Sequence, residues 1–152
     1  DTSEKSLKYH TATHLLNSAL KAVLGPQVNQ KGSNITPERL RFDFTHDKKL
    51  TTEQIKHVEK LVNGKIKENL TVFCEEMPLE KAKSIGAIGV FDGKYADAVK
   101  VYSIADIKTG AVFSREICGG PHVEKTGVLG DFRIVKEEAV SAGVRRIKAV
   151  LN

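Results

Sequence analysis

The sequence predicts an α+β domain in which an antiparallel sheet packs with two long helices. Three observations predict it. Apolar residues recur at helical spacing in two stretches, from Ser3 to Leu24 and after Thr51-Thr52. Several short β-rich runs follow, punctuated by glycines. No repeat, low-complexity tract or linker divides the series. With 152 residues, 40% of them hydrophobic, the chain fits one domain, residues 1–152, able to close its own core.

The first helix is bounded by Asp1 and Glu4, spaced like a capping box, and by the stop signal Gly25-Pro26. Its core stripe is expected at Leu7, His10, Thr11, His14, Leu15, Ser18 and Ala22, which puts both histidines on the buried face. NQKGSNITP reads as a turn-rich piece. RLRFDF then alternates Leu40, Phe42 and Phe44 with Arg39, Arg41 and Asp43, the period of a half-buried strand. In the second helix Ile55, Val58, Val62, Ile66 and Leu70 form the apolar face. TVFCEEM reads as a strand with Cys74 in its core face, and PLEKAKSIG as a short helix from Pro78 to Gly86. AVKVYSI, VFSREI, DFRIV and RRIKAVL are expected as antiparallel neighbours in one sheet. Gly86, Gly89 and Gly93 read as turn or bulge positions, and His46 and His57 as surface or half-buried histidines.

Composition narrows the function. The chain carries 24 Lys and Arg against 19 Asp and Glu, a net charge of +5 that suits a polyanionic partner such as nucleic acid. No window has the roughly 18 consecutive apolar residues of a membrane span, and DTSEKSLK is no secretory signal, so no membrane partner and a soluble, cytoplasmic setting are expected. Two cysteines, Cys74 and Cys118, make no disulfide framework. The start at Asp1 rather than Met suggests a piece of a longer chain.

Two motifs carry chemistry. In HTATH, His10 and His14 lie one helical turn apart and can direct both imidazoles at one point. In CGGPH, the glycine turn can bring Cys118 and His122 together. Three imidazoles and a thiolate make a complete tetrahedral shell for Zn2+, which puts a zinc site between the N-terminal helix and a C-terminal glycine turn. Other zinc patterns do not fit. The H-E-x-x-H metalloprotease motif requires Glu where Thr11 stands, and no paired C-x2-C exists for a zinc finger.

HTATHLL, QKGSNITPERLRFDFTH, CGGPHV with GVLG after it, and AGVRRIKAV, in that order from about Tyr9 to Leu151, closely resemble the editing domain of bacterial alanyl-tRNA synthetases. Free-standing alanyl-tRNA trans-editing proteins are similar. The resemblance implies a deacylase that hydrolyses the ester joining Ser or Gly to alanine tRNA, with zinc held by His10, His14, Cys118 and His122. Its partner would be mischarged alanine tRNA, and the domain would belong to a larger synthetase chain. The family's common CGGTH is CGGPH here, so Pro121 removes one backbone N–H from the turn.

The chemical need is general: a pocket sized for alanine cannot exclude glycine and rejects an added hydroxyl only weakly, so fidelity requires a second, hydrolytic sieve. Such a sieve refuses alanine if it hydrogen-bonds the seryl hydroxyl. Thr11, between the helical ligands, and Gln30, before the first strand, are the candidate lining residues. Lys31, Arg39, Arg41, Arg145 and Arg146 are the candidate tRNA contacts. No carboxylate stands out as a general base. The other readings are a non-catalytic zinc-stabilised tRNA-binding module and, last, a general metallohydrolase.

Overall fold

The computed structural model describes residues 3–89 and 98–152. Helix α1, Glu4–Leu24, starts at Ser3, whose Oγ accepts the Ser6 N–H at 3.2 Å. It ends at Gly25, whose φ of 122° favours glycine and whose N–H reaches the Lys21 carbonyl at 2.9 Å. Asp1 of the expected capping box lies outside the described residues, as does Gly93. The helix packs against α2 (Thr52–Lys67), β1 (Gln30–Thr36), β2 (Arg39–Thr45), β5 (Val112–Ile117) and a 3-10 turn at Thr126–Leu129. Contact on so many sides buries its middle nearly all round, from Tyr9 to Leu20, Ser18 and His10 being half-buried. Thr11, His14 and Leu15 of the expected stripe are buried, but Ala22 is exposed, because the final turn runs out past the elements that cover the middle.

Helix α2 carries a full capping box: Thr51 Oγ1 accepts the Gln54 N–H at 3.1 Å, and Gln54 Oε1 accepts the Thr51 N–H at 2.9 Å. Val58, Val62 and Ile66 are its buried residues; Leu70 is buried beyond its end. The Asn63 side chain fastens it to the sheet by exchanging two bonds of 2.8 Å with the Phe132 backbone.

The strands form two sheets, not the expected one. The larger has the order β1-β2-β7-β6, with β6 at Phe132–Ser141 and β7 at Val144–Leu151. The smaller has the order β3-β4-β5, with β3 at Thr71–Pro78 and β4 at Ala98–Ala105, and packs with the short helix α3, Leu79–Ser84. All pairings between these strands are antiparallel, and Ile88 adds an isolated parallel bridge to Glu116. The break falls between β5 and β6, where Thr126 ties the chain to the end of α2: its N–H donates to Leu70 O at 2.9 Å, and its Oγ1 donates to Lys65 O and accepts the Leu70 N–H, both at 2.8 Å. β6 therefore sets out toward β7 and does not pair with β5.

QKGSNIT, within the expected turn-rich piece, is likewise a strand. It is the polar edge of the larger sheet, shaped by pairing with β2 and irregular between Gln30 and Gly32. Cys74 is exposed on β3, itself an edge strand, and is not a core residue. The main core holds Phe42, Phe44, Phe132, Leu15, Leu16, Leu20, Leu40 and Ile147. Met77, Ala82, Ala87, Val99 and Val101 form a smaller cluster under α3.

Cross-strand charge pairs fix the register of β2, β7 and β6. Arg146 bonds both oxygens of Asp43 at 2.8 and 3.0 Å, and Arg145 both oxygens of Glu137 at 2.7 and 2.9 Å. The Arg146 hydrogen bonds hold the Asp43 carboxyl below its ordinary value of 3.8. A depressed carboxyl pKa contributes stability above the unfolded value that is lost as pH falls through the folded one. Arg146 is partly exposed, so solvent screens the pair. Asp43→Asn should destabilise the chain at pH 7 and by less once the pH falls below the carboxyl's folded value, as measured by urea unfolding at neutral and acid pH.

Candidate metal centre

His10 and His14 project from one face of α1 toward the turn that follows β5. Cys118 stands just past the strand, its N–H bonded to Lys100 O at 3.0 Å. Gly120 then turns the chain with φ 68°. A Cβ there would collide with the Tyr102 hydroxyl, so the position requires glycine on two grounds. His122 follows, packed against the Tyr102 ring with centroids 4.5 Å apart.

One potential ligand atom from each of His10, His14, Cys118 and His122 falls within 4.8 Å of the other three. Cys118 Sγ lies 3.3 Å from His10 Nε2 and 3.5 Å from His122 Nε2. Ligand atoms around a tetrahedral zinc are about 3.3–3.8 Å apart, given metal bonds of about 2.0–2.3 Å. The donor set and the two shortest separations match such an ion, and the four residues, all within 4.8 Å of one another, could hold a metal.

The outward ring nitrogens support the same arrangement. His10 Nδ1 donates to the Pro121 carbonyl at 3.0 Å, which leaves its Nε2 lone pair facing Cys118. His122 Nδ1 lies 3.0 Å from Thr11 Oγ1, which also accepts the Val123 N–H at 3.1 Å. Burial lowers all three imidazoles, with the neighbouring histidines adding to the effect at His14 and His122: His14 to about 3 and His122 to about 2. They are neutral at pH 7, with lone pairs available to a cation. Burial raises the Cys118 thiol, against the Gly120 N–H that points at Sγ from 3.3 Å. A bound cation would reverse that shift and hold the thiolate.

Thr11 is fully buried behind the ligands, where it holds His122 and the chain after it; it lines neither of the two clefts beside the cluster. Gln30 is exposed at the start of β1, its Nε2 donating to Ser33 Oγ at 3.1 Å. It lines a cleft of about 440 Å3 with Lys31, Ile88, Glu116 and Ile117. His10, Ser33, Asn34, Gly120 and Pro121 border a second cleft, of about 370 Å3. β1 thus forms part of the wall of both.

Of the basic residues, Lys31 is exposed at the Gln30 cleft. Arg39 bonds Asn34 at 2.9 and 3.1 Å, and Arg41 lies 3.5 Å from Asp43. Arg145 and Arg146 are committed to their carboxylates in the sheet.

Glu116, which the sequence reading passed over, is 7% exposed beside the cluster. Its Oε2 is 3.5 Å from His14 Nδ1, and burial lifts its pKa to about 7. The available signal was parity: Ser114, Glu116 and Cys118 share one face of β5 and its extension, where polar residues turn inward.

The chain is similar to known proteins over its whole length. Residues 99–148 match the threonyl and alanyl tRNA synthetase second additional domain. All 152 residues align at 60% identity with 24% of the alanine–tRNA ligase of Treponema denticola. The ligase of Borreliella burgdorferi is 53% identical over 99% of this chain and 24% of its own length. That of Helicobacter pylori is 53% identical over 94% of this chain and 16% of its own. The chain is therefore similar to a segment of alanine–tRNA ligases, and its residues 99–148 carry the likeness to this second additional domain. It spans about a quarter of the length of the Treponema and Borreliella ligases it matches.

Because the Thr11 hydroxyl serves both the Val123 N–H and His122 Nδ1, Thr11→Val leaves two buried groups without a partner. The metal-free chain should lose about 1–3 kcal/mol of stability in urea unfolding while keeping its far-ultraviolet dichroism.

Proposed function

We propose that the chain is a zinc-dependent aminoacyl-tRNA editing domain, part of a longer cytoplasmic alanyl-tRNA synthetase, that hydrolyses Ser and Gly from mischarged alanine tRNA. The observation that carries this reading is the convergence of three neutral imidazoles and a thiol beside two clefts, in a chain similar to a segment of alanine–tRNA ligases.

His10, His14, Cys118 and His122 would hold the ion. Zinc bound there supplies a positive centre that attracts and polarises the aminoacyl ester or its amino group. Thr11 keeps His122 in place. Gln30, whose Nε2 is held by Ser33, keeps its amide oxygen at the cleft wall, where it is suited to accept a hydrogen bond from a seryl hydroxyl that alanine lacks. Lys31 guides the acceptor end by charge, with Arg39 and Arg41 beside it. Arg145 and Arg146 contribute less, because each is already held by a carboxylate. Water adds to the ester carbonyl, and the terminal ribose hydroxyl leaves with a proton.

Four protein ligands also suit a structural zinc, which favours a second reading: a non-catalytic module that holds tRNA for another enzyme. Deacylation separates the two. The zinc-loaded chain should release serine from Ser-tRNA faster than alanine from Ala-tRNA. No release from any aminoacyl-tRNA at high enzyme concentration would favour the binding module. Gln30→His should lower the ratio of seryl to alanyl hydrolysis by a factor of about 5 to 150, with zinc content unchanged. A ratio within twofold of wild type would remove Gln30 from the pocket wall.

A further inference from the structure

A metal-ligating histidine needs its second nitrogen held by an acceptor, which fixes the tautomer and the ring. His10 has the Pro121 carbonyl at 3.0 Å, and His122 has the Thr11 hydroxyl at 3.0 Å. His14 is the exception. Its Nδ1 is buried with no hydrogen-bond partner, and so is Glu116 Oε2, 3.5 Å away. Both residues are almost wholly enclosed, His14 at 4% and Glu116 at 7% exposure.

Two orphaned groups of complementary kind, a ring nitrogen and a carboxylate oxygen, thus face each other across a gap a few tenths of an ångström too long for a good bond. Around them stand the Asn17 amide, one turn along α1 from His14, and the Ser114 hydroxyl, on the same face of β5 as Glu116. Both are buried with polar atoms unpaired. Such a polar layer can orient a carboxylate, directly or through water. The charge also balances: a dication with one thiolate leaves a buried excess of about one positive charge, which one carboxylate cancels.

We infer that Glu116 is the positioning residue of His14: it accepts the Nδ1–H, directs Nε2 at the metal and neutralises the loaded site. The inference rests on the metal-binding part of the reading above and not on deacylation.

The test uses the 152-residue chain with Glu116→Ala, Glu116→Gln and, as a charge control on the exposed face of β3, Glu76→Gln. Two quantities are measured: Zn2+ affinity by competition with a chelating dye, and the His14 tautomer from nitrogen-15 shifts of the metal-free protein. Glu116→Ala should weaken zinc binding by about 10- to 100-fold and shift metal-free His14 from the Nδ1–H form toward the Nε2–H form. Glu116→Gln, which keeps an acceptor but no charge, should fall between it and wild type, and Glu76→Gln should stay within twofold of wild type. A merely structural role would lower thermal stability without moving the tautomer. An unchanged tautomer, or zinc affinity within twofold of wild type in Glu116→Ala, overturns the inference. If the wild-type chain binds no zinc, the metal reading fails and the inference falls with it, whereas a zinc-binding wild type with an unchanged tautomer in Glu116→Ala overturns the inference alone. Loss of deacylation with both readouts as expected counts against the editing reaction and leaves Glu116 in its role.

Discussion

The meeting of α1 with the turn after β5 is the constraint on which the rest of the structure depends. It closes a loop of more than a hundred residues between His10 and Cys118, so the entropy of that closure must be offset by contacts made elsewhere. α1 supplies them by packing on both sheets, on α2 and on the 3-10 turn, which is why its middle is buried nearly all round while its last turn is not. A surface helix with one apolar stripe could not hold two imidazoles so firmly. The histidines occupy places where leucine would otherwise pack, and they stay neutral there because burial disfavours their charged forms.

The turn itself is held from three sides. Thr11 takes the Val123 N–H, the Pro121 carbonyl takes the His10 Nδ1–H, and Tyr102 packs on His122 while leaving room only for glycine at Gly120. Further on, Thr126 fastens the same segment to the end of α2, and Tyr9 links α1 to one end of the larger sheet, where β2 begins and β7 finishes, by accepting the Leu151 N–H and donating to Glu38 O. The second sheet delivers Cys118 and His122, and the first places Gln30 and Lys31 at the neighbouring cleft. Two sheets are needed because these two sets of residues must approach α1 from different sides.

Features that a local period can encode were legible in the sequence. The apolar repeat of α2, the alternation of Leu40, Phe42 and Phe44, and the four-residue spacing of His10 and His14 all appear as read. What depends on distant pairing was not legible. β1 has no apolar alternation, because as a polar edge it takes its form from hydrogen bonds to β2. The split into two sheets follows from what Thr126 bonds, which no strand pattern records. Arg145 and Arg146 are expected as tRNA contacts, but their cross-strand partners Glu137 and Asp43 lie several to many residues away and occupy their charge. Glu116 carries no signal of its own within VFSREI. Only the placement of α1 over that face turns it inward.

The four ligands are not equivalent in their access to solvent, and this orients the site. His14 is sealed by α1 and β5, with Asn17, Ser114 and Glu116 behind it. Cys118 and His122 are half-buried, under the glycine turn and Tyr102. His10 is the ligand that borders an open cleft, together with Pro121 and the Ser33–Asn34 segment of β1. Ser33 in turn bonds Gln30, which stands at the adjacent cleft with Glu116. The open side of the cluster therefore faces β1, whose polar side chains border the clefts up to the His10 edge. A flat apolar strand there would give a hydroxyl-bearing group nothing to bond, so the lack of alternation that hid β1 in the sequence is what fits it to border a polar site.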